Sequence, residues 1–211
     1  REAAIKRLSR AEKFKLMPTE DKAIKTAPVF FATGTQFRAW LRANASKQDE
    51  LWLGFYKKGA STAGISYAEA LDEALCFGWI DGLKKTWNAD SFRIRFTPRR
   101  SASVWSLVNR EHAERLIKAK KMTAAGLREI ERAKADGRWK NAYAPASRST
   151  VPDDLAAALR KHAPSARFFE SLSAANRYAI NYRLQTAKKA ETRARRLESI
   201  LKMLRERKTF H

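Results

Sequence analysis

The chain has 211 residues, which is long enough for one domain with an appended subdomain and for a hydrophobic core. Hydrophobic residues make up 44% and aromatic residues 10% of it, a composition that excludes a wholly disordered chain. Its charge is unusual, because 44 Lys and Arg stand against 22 Asp and Glu, for a net charge of +22. This excess favours a nucleic acid or an anionic surface over a small neutral ligand as the partner.

Further classes of protein are excluded by features that are missing from the sequence. A single cysteine cannot form an intramolecular disulfide, and no apolar run approaches the roughly 18 residues that a membrane span needs. The opening residues contain no hydrophobic stretch of a secretory signal peptide. We therefore expect no membrane span, and a location in the cytoplasm, or in an organelle matrix if a targeting segment precedes Arg1.

The first half of the chain predicts a basic arm followed by helices and strands. The arm is residues 1–28, and a helix is expected from about Thr35. An alternating strand lies in "DELWLGFYKKG", and "SYAEALDEAL" predicts a helix because Ser66 and Glu69 have capping-box spacing. "LKKTW" and "SFRIRFTP" flank the turn signal "NAD" and predict a β-hairpin. Its second strand is predicted to place Phe92, Ile94 and Phe96 on one face and Ser91, Arg93 and Arg95 on the other.

The second half of the chain predicts helices. Helices are expected at about 103–119, 123–135 (capped by Thr123), 152–162, 164–172, 173–186 and 190–207. The last helix is predicted to bury a stripe made of Ala190, Ala194, Leu197, Leu201 and Leu204, with Ile200 beside it.

These elements predict an α+β fold class, in which a small antiparallel sheet is packed by helices and followed by a C-terminal helical subdomain. The turn signals in "DGRWKNAYAPASRSTVP" predict a linker between the two parts. The predicted boundaries are an N-terminal arm at 1–28, an α+β domain at 29–136, a linker at 137–151 and a helical subdomain at 152–211.

The only cysteine, Cys76, lies in the apolar stretch "ALCFGWIDG". A nucleophilic thiol needs a histidine or a cation to form the thiolate, whereas the apolar second half of a predicted helix raises a thiol pKa. A buried structural role is therefore favoured, with Asp81 before Gly82 as part of a turn. An enzyme with its site near Cys76 and Asp81 stays an alternative.

Motifs for other chemistry are missing from the sequence. Three histidines and one cysteine give none of the ligand spacings of a metal site. The glycines form neither a phosphate-binding loop nor a nucleophile elbow. We therefore expect no metal and no cofactor, and we expect Glu69 and Glu73 to stabilise a helix start rather than to act as an acid–base pair.

Two basic clusters are the most informative feature. "KKTWNADSFRIRFTPRR" holds six Lys and Arg against one Asp, and residues 181–211 hold ten against three Glu. The structural interpretation is an edge strand protected by charge together with a solvated helix face. The functional interpretation is phosphate contact and base stacking, for which arginine near aromatic rings is suited. The candidate nucleic-acid-binding residues are Lys84, Lys85, Arg93, Arg95, Arg99, Arg100, Lys188, Lys189, Arg193, Arg195 and Arg196.

Four blocks of the sequence resemble consecutive blocks of a known family. They are "ISYAEALDEALCFGWIDG", "IRFTPRRSASVWSLVNREHAERLI", "MTAAGLREIERAKADGRW" and "YRLQTAKKAETRARRLESILKML". The family is the YdeI/OmpD-associated family, also called bacteriocin-protection proteins, and the resemblance runs from about Val29 to the C-terminus. It implies protection against cationic antimicrobial peptides and association with an outer-membrane porin, and it carries over no catalytic or ligand residue.

Three functions are compatible with these observations. The first is a non-enzymatic basic protein that binds a polyanion, with RNA favoured and a ribonucleoprotein assembly or a larger protein as its setting. The second is an envelope or stress-protection factor that acts through a protein partner, as the resemblance implies. The third is the enzyme with a site near Cys76 and Asp81.

Overall fold

A computed structural model gives the structure of this chain and describes residues 27–187 and 189–210. It confirms the α+β fold class, with an antiparallel sheet followed by C-terminal helices. The predicted arm at 1–28 lies outside the described residues except for its last two positions. The described chain forms two compact units: the residues up to Arg99 with Met122–Leu127, and Arg100–Lys121 with Arg128 onwards.

The first unit contains the sheet and two helices before it reaches Arg99. The sheet has three strands, β1 (Leu51–Tyr56), β2 (Trp79–Thr86) and β3 (Ser91–Pro98), in the order β1-β3-β2, so β3 lies in the centre and pairs antiparallel with both neighbours. The predicted hairpin is therefore confirmed, and its first strand, which carries Lys84 and Lys85, is an edge strand of the sheet. The elements are α1 (Gly34–Asn44), β1 (Leu51–Tyr56), α2 (Tyr67–Cys76), β2 (Trp79–Thr86) and β3 (Ser91–Pro98).

The start of α2 follows the sequence signal closely. The Ser66 side chain accepts from the Glu69 backbone N–H, and the Glu69 carboxylate accepts from the Ser66 N–H and hydroxyl, as the capping box requires. At the other end, Gly78 has a φ of 73°, which glycine adopts without steric cost. The chain thus turns directly from α2 into β2, which begins at Trp79, four residues before the predicted strand.

One face of the sheet forms the core of the first unit. Leu53 pairs with Ile94 and Phe55 with Phe92 across the β1–β3 ladder, so these side chains share a face. Leu53, Phe55 and Ile94 belong with Phe37 of α1 to one buried cluster, and the partly buried Phe92 packs against it. The predicted alternation of Phe92, Ile94 and Phe96 against Arg93 and Arg95 is confirmed, and it leaves the arginines on the opposite face.

The second unit is helical among the residues that the structure describes. α4 begins in the first unit and continues into the second. The predicted linker region contributes contacts to the second unit, because Trp139 packs edge-on against Trp105 and Tyr143 against Tyr182. The elements are α3 (Leu107–Lys118), α4 (Ala124–Ala135), a 3-10 turn (Ala146–Arg148), α5 (Asp153–Arg160), α6 (Ala163–Ser171), α7 (Ala174–Gln185) and α8 (Ala190–Arg205).

The core of the four C-terminal helices differs from the predicted stripe of α8. Ala190 and Ala194 are exposed, whereas Ile200 and Leu204 are buried and Leu197 packs against the same cluster. The buried face thus contains Ile200 in place of the two alanines, along the helical spacing of 197, 200 and 204. No helix within the described ranges, 27–187 and 189–210, meets the length and hydropathy needed to span a membrane.

Candidate functional site

The face of the sheet opposite the core carries basic and aromatic side chains together. Trp52 pairs with Arg95 across the β1–β3 ladder, and Lys85 pairs with Arg93 across the β2–β3 ladder. Because strand side chains alternate between faces, these residues lie on one side of the sheet, away from the apolar core. We call Trp52, Lys85, Trp87, Arg93 and Arg95 the basic aromatic face.

The Arg93 guanidinium lies between two indole rings. Its Cζ is 4.7 Å from the centroid of Trp52 and 4.7 Å from that of Trp87. The Lys85 ammonium is 6.0 Å from the Trp52 ring. A cation over an aromatic face is attracted by the ring quadrupole, so this stack holds the guanidinium in a defined orientation.

Close packing continues the face toward β1. Gly54 stands opposite Arg93 in the ladder, and a Cβ at this position would lie 2.5 Å from the Phe30 ring. Phe30 in turn stacks on Tyr56 with ring centroids 4.8 Å apart. Glycine at this position therefore allows the Phe30 ring to lie directly on the sheet beside Arg93.

The two tryptophans of the face differ in exposure. Trp52 is 6% exposed and Trp87 is 43% exposed, so Trp87 is the ring that offers surface to a ligand. The Nε of Arg95 is buried without a hydrogen-bond partner. From the sequence, Trp87 was noted among the basic residues but was given no role. Trp52 was not predicted as a site residue, because its only sequence signal was its alternating position in β1.

The other predicted residues of the first cluster have different surroundings. The exposed Lys84 lies with its ammonium 4.0 Å from the Phe92 centroid and pairs with Ile94, so it is not on the basic aromatic face. Arg99 is only 6% exposed, so little of its side chain is accessible to a ligand. Arg100 is exposed and belongs to the second unit.

Two of the predicted arginines on α8 stabilise the packing of helices. Arg193 donates through Nε and Nη2 to both carboxylate oxygens of Asp154, at 2.7 and 2.8 Å, and through Nη1 to the Leu184 carbonyl at 2.7 Å. Arg196 donates to the Arg183 carbonyl at 2.7 Å. The last carbonyls of a helix lack helical partners, so both side chains satisfy the end of α7.

The rest of the second cluster is exposed where it is described. Lys189 and Arg195 are exposed, and Lys188 lies outside the described residues. Lys189 is the residue immediately before α8, and its side chain makes no capping hydrogen bond to the first turn of the helix. The described residues of the second cluster belong to the second unit, whereas those of the first cluster other than Arg100 belong to the first unit.

Cys76 has the surroundings of a core residue. Its side chain has no exposed surface, and burial raises the pKa of the thiol, which outweighs the opposing hydrogen bond from Arg38. Arg38 also donates to Glu73 at 2.7 Å. These surroundings oppose thiolate formation at neutral pH.

The predicted turn at Asp81 is wrong. Asp81 lies within β2 and pairs with Phe96, immediately before a shift of register that ends at Lys84. Its carboxylate accepts a hydrogen bond of 2.7 Å from the Tyr67 hydroxyl. The structure thus assigns Asp81 to an irregular strand. Across 27–187 and 189–210 there is no group of three or more His, Cys, Asp or Glu that could hold a metal ion.

Comparisons with known proteins divide the chain in two. Residues 29–129 match the model of a family described as Domain of unknown function (DUF8412). Residues 148–207 match the model described as Bacteriocin-protection, YdeI or OmpD-Associated. No curated protein and no solved structure matches the chain. The resemblance drawn from the sequence is thus confirmed for residues 148–207, which match the bacteriocin-protection, YdeI or OmpD-associated family model.

Proposed function

We propose that this chain is a non-enzymatic binding protein for a polyanion, with single-stranded RNA as the ligand of its basic aromatic face. The observation that carries the proposal is the Arg93 guanidinium held between Trp52 and Trp87. A stacked arginine beside an exposed indole combines the two contacts that single-stranded nucleic acids accept, which are phosphate neutralisation and base stacking.

The roles on this face follow from the exposure of its members. The Trp87 ring, 43% exposed, would stack on an unpaired base. Lys85, which is exposed, and the guanidinium groups of Arg93 and Arg95 would neutralise phosphates. A base inside a duplex cannot reach a ring that lies on a sheet, so the face favours single strands over duplexes.

Charge supports a polyanion independently of this face. The net charge of +22 raises the local concentration of anionic ligands and accelerates their association. Nucleic-acid binding of this kind releases counterions and therefore weakens steeply as salt rises. The setting we propose is a ribonucleoprotein assembly or a larger protein complex.

Fluorescence anisotropy with a labelled 12-nucleotide single-stranded RNA tests the proposal. Trp87→Ala should weaken binding by roughly 5- to 150-fold, because one stacked base contributes about 1–3 kcal/mol. Lys85→Gln should lower the slope of log K against log salt by about 0.7, the value for one phosphate contact with a single strand. Lys118→Gln is the matched control, since Lys118 is an exposed lysine at the end of α3.

Two results would overturn the proposal. One is an affinity that does not change between 50 and 300 mM salt, and the other is equal affinity of Trp87→Ala and the original protein. Circular dichroism melting of each variant confirms that the comparison is made between folded proteins.

A second candidate function is protection through a protein partner. The match of residues 148–207 to the Bacteriocin-protection, YdeI or OmpD-Associated model supports it. Purification from the native source, with and without nuclease, separates the two candidates. A specific protein that stays bound after nuclease treatment favours the second candidate, whereas material that is lost with nuclease favours the first.

A further inference from the structure

A cavity of about 600 Å³ lies in the second unit among the C-terminal helices. Four elements contribute an alanine to its lining: Ala146 from the 3-10 turn, Ala156 from α5, Ala166 from α6 and Ala174 from α7. A methyl group fills little of the space between packed helices, so this composition keeps the cavity open. Its volume is within the range typical of small-molecule sites.

The deep wall of the cavity is apolar. Leu159 and Phe169 line it and are 8% and 5% exposed, and both belong to the buried cluster of the C-terminal helices. Val151 lines the cavity as well and is 38% exposed. These side chains would accept a hydrocarbon chain or a ring.

A buried amide with an unsatisfied oxygen also lines the cavity. Asn181 is 4% exposed, and its Nδ2 donates to the Ser149 hydroxyl at 3.2 Å. Its Oδ1 is buried without a hydrogen-bond partner. Because buried acceptors are nearly always paired in folded proteins, this oxygen would pair with an N–H or O–H donor of a ligand once the Asn181 side chain turns it toward the cavity.

The charged side chains of the cavity favour an anion. Arg160 and Arg177 line it and are exposed, and the single acid of the lining is Glu170. Arg177 reaches the backbone carbonyl of Glu170 at 3.5 Å through Nη1, which leaves its other guanidinium donors for a ligand. A carboxylate is the group that a guanidinium binds with the best geometry.

We propose that this cavity binds a small amphipathic carboxylate that carries an amide N–H between its apolar chain and its carboxylate, the chemistry of an N-acylated amino acid. The apolar chain contacts Leu159 and Phe169, the N–H donates to Asn181 Oδ1, and the carboxylate accepts from Arg160 and Arg177. The site is separate from the basic aromatic face and does not depend on RNA binding.

Three matched compounds test each part of the proposal on the full chain. N-octanoylglycine has all three groups, its methyl ester lacks the charge, and N-octanoylsarcosine lacks the N–H donor. NMR titration that follows the side-chain amide of Asn181 should show saturable, one-to-one binding of N-octanoylglycine. The ester should bind about tenfold more weakly, and the sarcosine compound about two- to twelvefold more weakly, as loss of a charged and of a neutral hydrogen bond predicts.

Variants of the exposed arginines add a test that leaves the core intact. Arg160→Gln combined with Arg177→Gln should reduce the affinity for N-octanoylglycine about tenfold and leave the ester unchanged. Arg195→Gln is the control, because Arg195 is an exposed arginine of α8 that is not among the residues lining the cavity. Ala166→Leu should narrow the cavity and weaken binding.

Several results would overturn the proposal. They are the absence of a saturable change at the Asn181 amide, equal binding of the three compounds, and unchanged binding in the double arginine variant. Trp87→Ala must bind N-octanoylglycine like the original protein, so failure of RNA binding and failure of this proposal can be told apart.

Discussion

Arginine serves two purposes in this chain, and single contacts distinguish them. Arg93 is stacked between two indole rings on the face of the sheet opposite the core, whereas Arg193 is bound to a carboxylate and a helix carbonyl. The Arg193 guanidinium already donates to Asp154 and to the Leu184 carbonyl, so it has fewer donors left for a phosphate. The sequence treats these residues as equivalent because it shows charge and spacing but no partners.

At Cys76 we predict a thiol that does not react in the folded protein. The side chain is fully buried and burial raises its pKa, so thiolate and access are both lacking at neutral pH. Iodoacetamide at pH 7 should modify it at least about a hundredfold more slowly in the native protein than in urea, since reaction needs local or global unfolding. Mass spectrometry over time measures both rates. Similar rates of modification in the native protein and in urea would contradict this prediction and favour the hypothesis of an enzyme with its site near Cys76.

At the scale of elements, α8 is held to α5 and α7 by Arg193. Its guanidinium makes a bidentate contact with Asp154 and a hydrogen bond to the Leu184 carbonyl. The Arg193 hydrogen bond lowers the pKa of Asp154 below its ordinary value of 3.8, with a smaller contribution from the Leu155 N–H. This ion pair is about one-third exposed, so solvent screens part of its energy.

We predict that Arg193→Met lowers the free energy of unfolding by about 1–2 kcal/mol at pH 7, after allowance for screening. The pKa of Asp154 is lowered in the folded state, so its contribution is fully present above the ordinary pKa and is lost as pH falls through the folded value. The difference between variant and original protein should therefore shrink below about pH 4 and leave only the Leu184 contact. Urea unfolding at pH 7 and pH 3 measures it.

Arg195→Met supplies the control for this prediction. Arg195 is exposed on the same helix, so its removal should change the free energy of unfolding by no more than about 0.5 kcal/mol. A loss in Arg193→Met that is the same at both pH values would assign the whole effect to the Leu184 contact and contradict the role of Asp154.

The boundaries of the helices and strands show which features of the fold can be predicted from local sequence signals. Ser66 and Glu69 predict the start of α2 correctly because a capping box is a contact among four residues. The predicted start of β2 lies too far toward the C-terminus. The left-handed backbone conformation of Gly78 and the irregular register at Asp81 depend on pairing with β3, which the local sequence does not show. The rotation of α8 was missed for a related reason: which of two apolar neighbours is buried depends on the helices that pack against it.

At the scale of the whole molecule, the net charge of +22 opposes compaction through self-repulsion. Added salt screens that repulsion within a Debye length of about 10 Å at 0.1 M. We predict that the free energy of unfolding rises, on the order of 1 kcal/mol, between 50 and 500 mM sodium chloride. Urea titration followed by tryptophan fluorescence measures it.

An uncharged solute provides the comparison for this experiment. Sucrose stabilises proteins through exclusion from their surface and does not screen charge, so the effect of salt should appear at concentrations where sucrose has little effect. A free energy of unfolding that falls with salt would mean that ion pairs such as that of Arg193 and Asp154 outweigh the net repulsion.

The sequence by itself determined the fold class, most of the helices, the hairpin of the sheet and the large positive net charge, because these follow from local periodicity, capping signals and composition. Only the tertiary structure decided that β3 is central, that Trp52 and Trp87 enclose Arg93, and that a cavity opens beside Asn181. Each of these features depends on contacts between residues that lie far apart in the chain, and no single stretch of sequence specifies such contacts.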